Sequence, residues 1–186
     1  MLSREGRGTG VSVAVDLVNT WDELEPDPDH LRSVADVRRW LEWHGLHQAA
    51  KQVRAADVGR ARELRSRFEN VFDAASEDDA AALLNALVRE LGSPPQLERD
   101  TGGWRLRYWP DEGEGLDAAG AYAAAGLLEA LRDLGWSRFG RCAGSPCRCA
   151  FVDRSRGGTR LYCCTLCADR VAQAEYRRRQ KVRSAS

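Results

Sequence analysis

The stretch Arg141-Cys142-Ala143-Gly144-Ser145-Pro146-Cys147-Arg148-Cys149, with Cys163-Cys164-Thr165-Leu166-Cys167 further on, holds every cysteine of the chain. None precedes position 142. A disulfide scaffold spreads its bridges through a small secreted fold, whereas thiols gathered at one end of a chain are the usage of a metal site. Four soft ligands at tetrahedral geometry are what zinc requires, and two short knuckles brought together by the intervening chain supply them. Cys142-x4-Cys147 is the first knuckle. The second is Cys163-x3-Cys167 or Cys164-x2-Cys167, and bare spacing slightly prefers the latter.

Between the knuckles, Ala150-Phe151-Val152-Asp153 and Thr159-Arg160-Leu161-Tyr162 flank Arg154-Ser155-Arg156-Gly157-Gly158. The glycine pair suits a tight turn, so a β-hairpin is expected here. Residues 168–181 then read as a helix starting directly after Cys167. A closed set of four protein ligands leaves no open position, so the zinc is expected to be structural, and it supplies most of the folding free energy of a module with little core of its own.

Outward from this module, charge is unevenly placed. The chain is formally neutral, yet residues 137–186 carry twelve Lys or Arg against three Asp or Glu. The excess predicts an anionic partner. On the terminal helix Arg170, Gln173, Arg177 and Lys181 fall on one stripe with Arg178 beside it, and Arg154, Arg156 and Arg160 on the hairpin extend the same surface. Guanidinium groups in such a stripe reach phosphates or guanine edges, so DNA is the expected partner. A basic face docking an acidic protein surface is the alternative, which makes the chain an adaptor.

The first 136 residues read as mainly α. Residues 1–12 look loosely attached, and Val13 to Trp21 is the first segment with packing potential, favoured as helix. Glu25-Pro26-Asp27-Pro28-Asp29 is a loop. Ser33, with Asp36 three residues on, caps a helix carrying Val37, Trp40 and Leu41 and ending at Gly45. Apolar residues at helical spacing mark residues 57–75 and 78–91, and an alanine-rich helix spans 117–134. Alternating residues around Thr101-Gly102-Gly103 suggest a small hairpin. The tryptophans at 21, 40, 43, 104 and 109 are expected in the core. The composition shift at Trp136 to Gly140 divides the chain into 1–136 and 137–186.

Asp16, Asn19 and Thr20 share one face of the first helix, where they line a ligand pocket for a small-molecule effector or else satisfy buried backbone groups. His44 and His47, at a helix end, are expected on the surface. No nucleophile elbow, phosphate loop or His-Glu-x-x-His pattern occurs, so no catalytic residue is assigned and no enzyme is expected. No apolar run is long enough to span a membrane, and the N-terminus lacks a secretory signal, which predicts a cytoplasmic protein.

Arg141-Cys142 through Phe151-x-Asp153-Arg154-Ser155-Arg156, then Arg160-x-Tyr162-Cys163 and Cys167-Ala168-Asp169-Arg170, resembles the CGNR-type zinc finger. Val15-Asp16-Leu17-Val18-Asn19-Thr20, with Val37-x-x-Trp40-Leu41-x-x-x-Gly45-Leu46 after it, resembles the ABATE domain. The resemblance implies a helical domain followed by a zinc-bound finger in a family of transcriptional regulators, with zinc held by Cys142, Cys147, Cys163 and Cys167. A regulator reading a palindrome implies a homodimer. One departure stands out: Cys167-Ala168-Asp169-Arg170 replaces Cys-Gly-Asn-Arg, putting an anion at Asp169 where the family has a neutral amide.

Overall fold

The computed structural model describes residues 8–91, 96–100, 103–107 and 115–184. Its first helix, α1 (Gly10–Val18), is apolar but for Ser12 and Asp16 and is buried at every residue. Such a helix has no solvent face, and it packs directly on two other helices and on a strand of the C-terminal module. Thr9 caps it: its hydroxyl accepts from the Ser12 amide at 3.2 Å while the Thr9 amide donates to Ser12 Oγ at 3.1 Å. The helix therefore begins inside the segment expected to be loose, and residues 1–7 lie outside the described residues.

α2 (Val34–Trp43) opens on the expected Ser33/Asp36 box, with Asp36 Oδ2 accepting from the Ser33 amide at 2.9 Å and Ser33 Oγ accepting from the Asp36 amide at 3.3 Å. Two orphan donors of the first turn are satisfied this way. Gly45, at φ 76°, turns the chain out of the helix. α3 (His47–Gln52), α4 (Ala55–Phe72) and α5 (Glu77–Leu91) follow. Leu64, Phe68 and Val71 of α4 and Leu84 and Leu87 of α5 are buried, as their spacing requires. Antiparallel β1 (Gln96–Asp100) and β2 (Gly103–Arg107) form the small hairpin, Gln96 opposite Arg107. Thr101 and Gly102, the preceding Ser93-Pro94-Pro95 and Trp109 lie outside the described residues.

α6 (Gly115–Leu134) packs directly on α1. The alanines are the reason: Ala119, Ala123, Ala124 and Ala130 are all buried, and small side chains let two backbones approach. At the crossing Gly126 meets Gly10. A Cβ on Gly126 would stand 2.6 Å from Gly10 Cα and from the Val11 nitrogen, so no larger residue fits without moving a helix. Gly135, at φ 79°, ends α6.

After a 3-10 turn (Trp136–Arg138), β3 (Phe139–Arg141) pairs antiparallel with β4 (Ala150–Val152). The finger thus contains the expected two-stranded ladder, but the partner of Ala150–Val152 is the upstream Phe139–Arg141 and not Thr159–Tyr162. Val152 and Phe139 carry the apolar side chains that this pairing buries, whereas Leu161 is 62% exposed. Phe139, Ala150 and Val152 join the same core as α1 to α6, and Phe139 stacks on Trp136 with ring centroids 5.4 Å apart. α7 (Thr165–Ser184) closes the chain; every residue from Ala172 to Ser184 is exposed. No helix among the described residues is long and apolar enough to cross a membrane.

Candidate metal centre

Cys142 follows directly on β3, and its amide donates to the Cys149 carbonyl at 2.9 Å, which extends the ladder by one pair. The chain between them folds into a tight knuckle, with the Cys147 amide bonded to the Gly144 carbonyl at 3.0 Å. The Ala143 amide donates to the Leu161 carbonyl at 2.9 Å, so the second knuckle is laced to the first by backbone. Cys167 sits in the first turn of α7 and is the one buried residue of that helix.

The sulfurs of Cys142, Cys147, Cys163 and Cys167 all lie within 4.8 Å of one another. Cys163 Sγ stands 3.7 Å from Cys147 Sγ and 3.7 Å from Cys167 Sγ. Tetrahedral zinc with Zn–S bonds of about 2.3 Å sets ligand sulfurs about 3.8 Å apart. The four sulfurs therefore fit one zinc ion. Cys164, favoured by bare spacing, lies 3.8 Å from Cys163 but outside the four-sulfur group. Spacing cannot separate the two, because Cys163 and Cys164 are neighbours whose sulfurs lie close together and only one of them completes the four-sulfur group.

The clustered sulfurs shift one another's protonation, and Cys142 alone of the four is lowered, burial being outweighed by its backbone and sulfur hydrogen bonds. Burial, then the neighbouring sulfurs, push the Cys147 and Cys167 thiols up, Cys167 to about 12. Cys163 is raised as well, first by its hydrogen bond with Cys149 and then by burial. Thiolates crowded this way become stable when a divalent charge sits among them. Around them the Gly144 amide points at Cys142 Sγ at 3.5 Å, and Arg170 Nη2 lies 3.8 Å from Cys167 Sγ.

The basic residues divide into two groups. Arg170 donates to the Gly144 carbonyl and so ties α7 to the first knuckle. Arg160 spans the site: its guanidinium lies 4.6 Å over the Phe151 ring, donates to the Tyr162 carbonyl at 3.0 Å and bonds the Cys163 carbonyl. Phe151 in turn covers Gly140, whose missing Cβ would meet the ring at 2.6 Å. Arg154, Arg156, Arg177, Arg178 and Lys181 are exposed, as is Asp169.

Asp153 is the organising residue that spacing alone does not single out. Its buried carboxylate accepts from the Ser155 amide at 2.8 Å and the Arg160 amide at 2.9 Å, which fixes the whole loop before the second knuckle. Burial works against this carboxylate, but those bonds and the Arg138 charge hold its pKa below the ordinary value. An aspartate opening a Ser-containing turn is the local signal for such a role.

The finger is seated on the helical domain by specific polar contacts. Arg141 forks onto Asp73, with Nε–Oδ1 and Nη2–Oδ2 both 2.9 Å, and donates to the Glu69 carbonyl at 3.2 Å. Asn19 binds the backbone of Ala150. Thr20 donates to the Leu17 carbonyl at 2.6 Å and accepts from Arg65 at 3.2 Å. Asp16 is buried 3.3 Å from His44 Nε2. Asp16, Asn19 and Thr20 thus make internal contacts, and they line neither of the two described clefts. His44 is buried where a surface position was expected, because Asp16 on α1 faces it across the core; His47 is exposed. Trp40 is core, but Trp21 is 42% exposed, with the Arg65 guanidinium 5.4 Å from its ring.

A closed four-cysteine centre at the root of a two-stranded ladder and a terminal helix defines a structural zinc finger, here joined to a bundle of helices. The chain belongs to the ABATE family, whose model, described as "Putative stress-induced transcription regulator", matches residues 12–133. The CGNR zinc finger model matches residues 138–180, directly after it. The centre accordingly binds one structural zinc. No curated protein matches the chain.

Proposed function

We propose that the chain is a DNA-binding transcriptional regulator, with zinc held by Cys142, Cys147, Cys163 and Cys167 and with α7 as the helix that meets nucleic acid. One observation carries this reading: past Arg170 a basic helix, about 30 Å long over its full length at 1.5 Å per residue, stands clear of the body, exposed at every residue from Ala172 to Ser184. Arg177, Arg178 and Lys181 are its contact residues, with Arg154 and Arg156 of the finger loop as additional phosphate contacts. Arg160 and Arg170 act instead as braces of the metal centre. The helical domain, against which the finger is seated, is the regulatory half. Six cysteines, all free, suit the reducing cytoplasm.

The test is DNA binding by the zinc-loaded chain at two salt concentrations, with the Arg177→Ala/Arg178→Ala variant in parallel. Two lost phosphate contacts lower the slope of log affinity against log salt by about 2. A chain that ignores DNA at low salt sinks the proposal. A second reading has its own support, since Leu166, Tyr176 and Val182 are each more than half exposed on α7. A helix so decorated also suits a protein partner, and such an adaptor requires Tyr176 while showing no affinity for DNA.

A further inference from the structure

The first knuckle is bracketed by two arginines: Arg141 precedes Cys142, and Arg148 follows Cys147. Both turn toward one carboxylate of the helical domain. Asp73, the C-cap of α4, takes the Arg141 fork at 2.9 Å on each oxygen, and its Oδ2 lies 3.7 Å from Arg148 Nη2. Arg141 joins the two ends a second time, because its Nη1 donates to the Arg148 carbonyl at 3.1 Å. The end of α4 supports this arrangement. The Glu69 carbonyl accepts from both the Asp73 amide, at 3.0 Å, and Arg141 Nη2, at 3.2 Å, and the Arg141 guanidinium lies 5.9 Å over the Phe72 ring. The knuckle's own backbone bonds close its turn. Among the described residues, Asp73 is the one group that ties both flanking side chains to the helical domain.

We infer that Asp73 is a positioning residue for the metal centre, acting through Arg141 and Arg148 to keep Cys142 and Cys147 where zinc needs them. Asp73 touches none of the four sulfurs; its effect passes through the two arginines. Without its charge, two guanidiniums that share one anion face each other unscreened by it, and like charges push the two ends of the knuckle apart. The effect on zinc has a diagnostic sign. Zinc with four thiolates is a net dianion, so removing a nearby anion favours it by field alone. A loss of zinc affinity on removing the Asp73 charge therefore reports displaced ligands and not a changed field.

The inference rests on the four-cysteine ligand set and is independent of DNA binding. Zinc affinity of the full chain is measured by competition with a chromogenic chelator for the native protein, Asp73→Asn, Arg148→Ala and the double variant. Asp73→Asn is expected to hold zinc about ten-fold more weakly, the lower end of what losing a group behind a metal ligand costs. Arg148→Ala is expected to cost less in the Asp73→Asn background than in the native chain, the non-additivity of groups that act as a unit. Gly126→Ala, which strains the α1–α6 crossing instead, is the control expected to keep native zinc affinity. Affinity in Asp73→Asn equal to or above that of the native chain, additive losses in the double variant, or an equal loss in Gly126→Ala overturns the inference. If Asp73→Asn does not fold, Arg148→Ala decides, and native affinity there overturns it. A native chain with little zinc overturns the ligand set, and the inference with it; full zinc in the native chain beside unchanged affinity in Asp73→Asn overturns the inference alone.

Discussion

The side chain of Asn19 and the backbone of Ala150, 131 residues apart, exchange two hydrogen bonds, Nδ2–O at 3.0 Å and N–Oδ1 at 2.7 Å. The ladder explains why. Cys142 donates to the Cys149 carbonyl and Asp153 to the Arg138 carbonyl, so Ala150, out of phase with both, turns its own N–H and C=O to the outer edge. The Asn19 amide stands in for the strand that is missing there.

Asn19→Ala leaves both backbone groups of Ala150 buried and unpaired. At about 1–3 kcal/mol for each unsatisfied group, a loss of about 2–6 kcal/mol is expected in urea denaturation. Asn19→Asp keeps the acceptor and loses the donor. A variant as stable as the parent would show that water replaces the amide.

Single serine substitutions at Cys142, Cys147, Cys163 or Cys167 are expected to abolish stoichiometric zinc, measured by elemental analysis, while Cys164→Ser retains it. Arg160→Ala is expected to weaken zinc retention, because three supports of the second knuckle depend on that one guanidinium. If Arg160→Ala lowers only DNA affinity, its assignment as a brace is wrong.

Gly126→Ala places a methyl group against the Gly10 backbone. Neither helix has a flexible side chain to move aside, so the cost is that of an overpacked core, about 1–3 kcal/mol or more. Thermal denaturation measures it, and Gly59→Ala, whose Cβ meets nothing within 4 Å, is the control that stays stable or gains.

Asp153 sets an acid limit. Its folded pKa lies below its unfolded value of about 3.9, so its contribution is complete above that value and disappears as pH falls through the folded one. Asp29 behaves alike: burial opposes its charge, but the Arg65 hydrogen bond and the Arg65 and Arg62 charges win. Stability measured from pH 6 down is expected to fall only in the acid range, and less steeply in Asp153→Asn, which starts from a lower plateau. An unchanged slope would mean that other carboxylates carry the linkage.

Much of this architecture is readable before folding. Ser33 with Asp36, the alanines of α6 and the cysteine cluster each announce a local cause, and local causes survive into the structure. The strand pairing of the finger was less legible, because Thr159–Tyr162 alternates as well as Phe139–Arg141 does. The difference is tertiary: Phe139 finds Trp136 and Phe72, at ring centroid distances of 5.4 and 5.7 Å, while Leu161 finds solvent. Arg160 looked like any other arginine in a basic loop. Only the placement of Phe151 over Gly140 shows what it holds.

Beyond Arg170, the terminal helix carries no burden of the fold. Substitutions from Ala172 to Ser184 change what the surface offers without changing whether the chain folds, since no side chain there is buried. Recognition can then diverge between copies of this scaffold at the rate tolerated by an unconstrained surface, while the cysteines, Asp153 and Asn19 stay fixed beneath it. Two such chains would share one thermal profile and differ in what they bind.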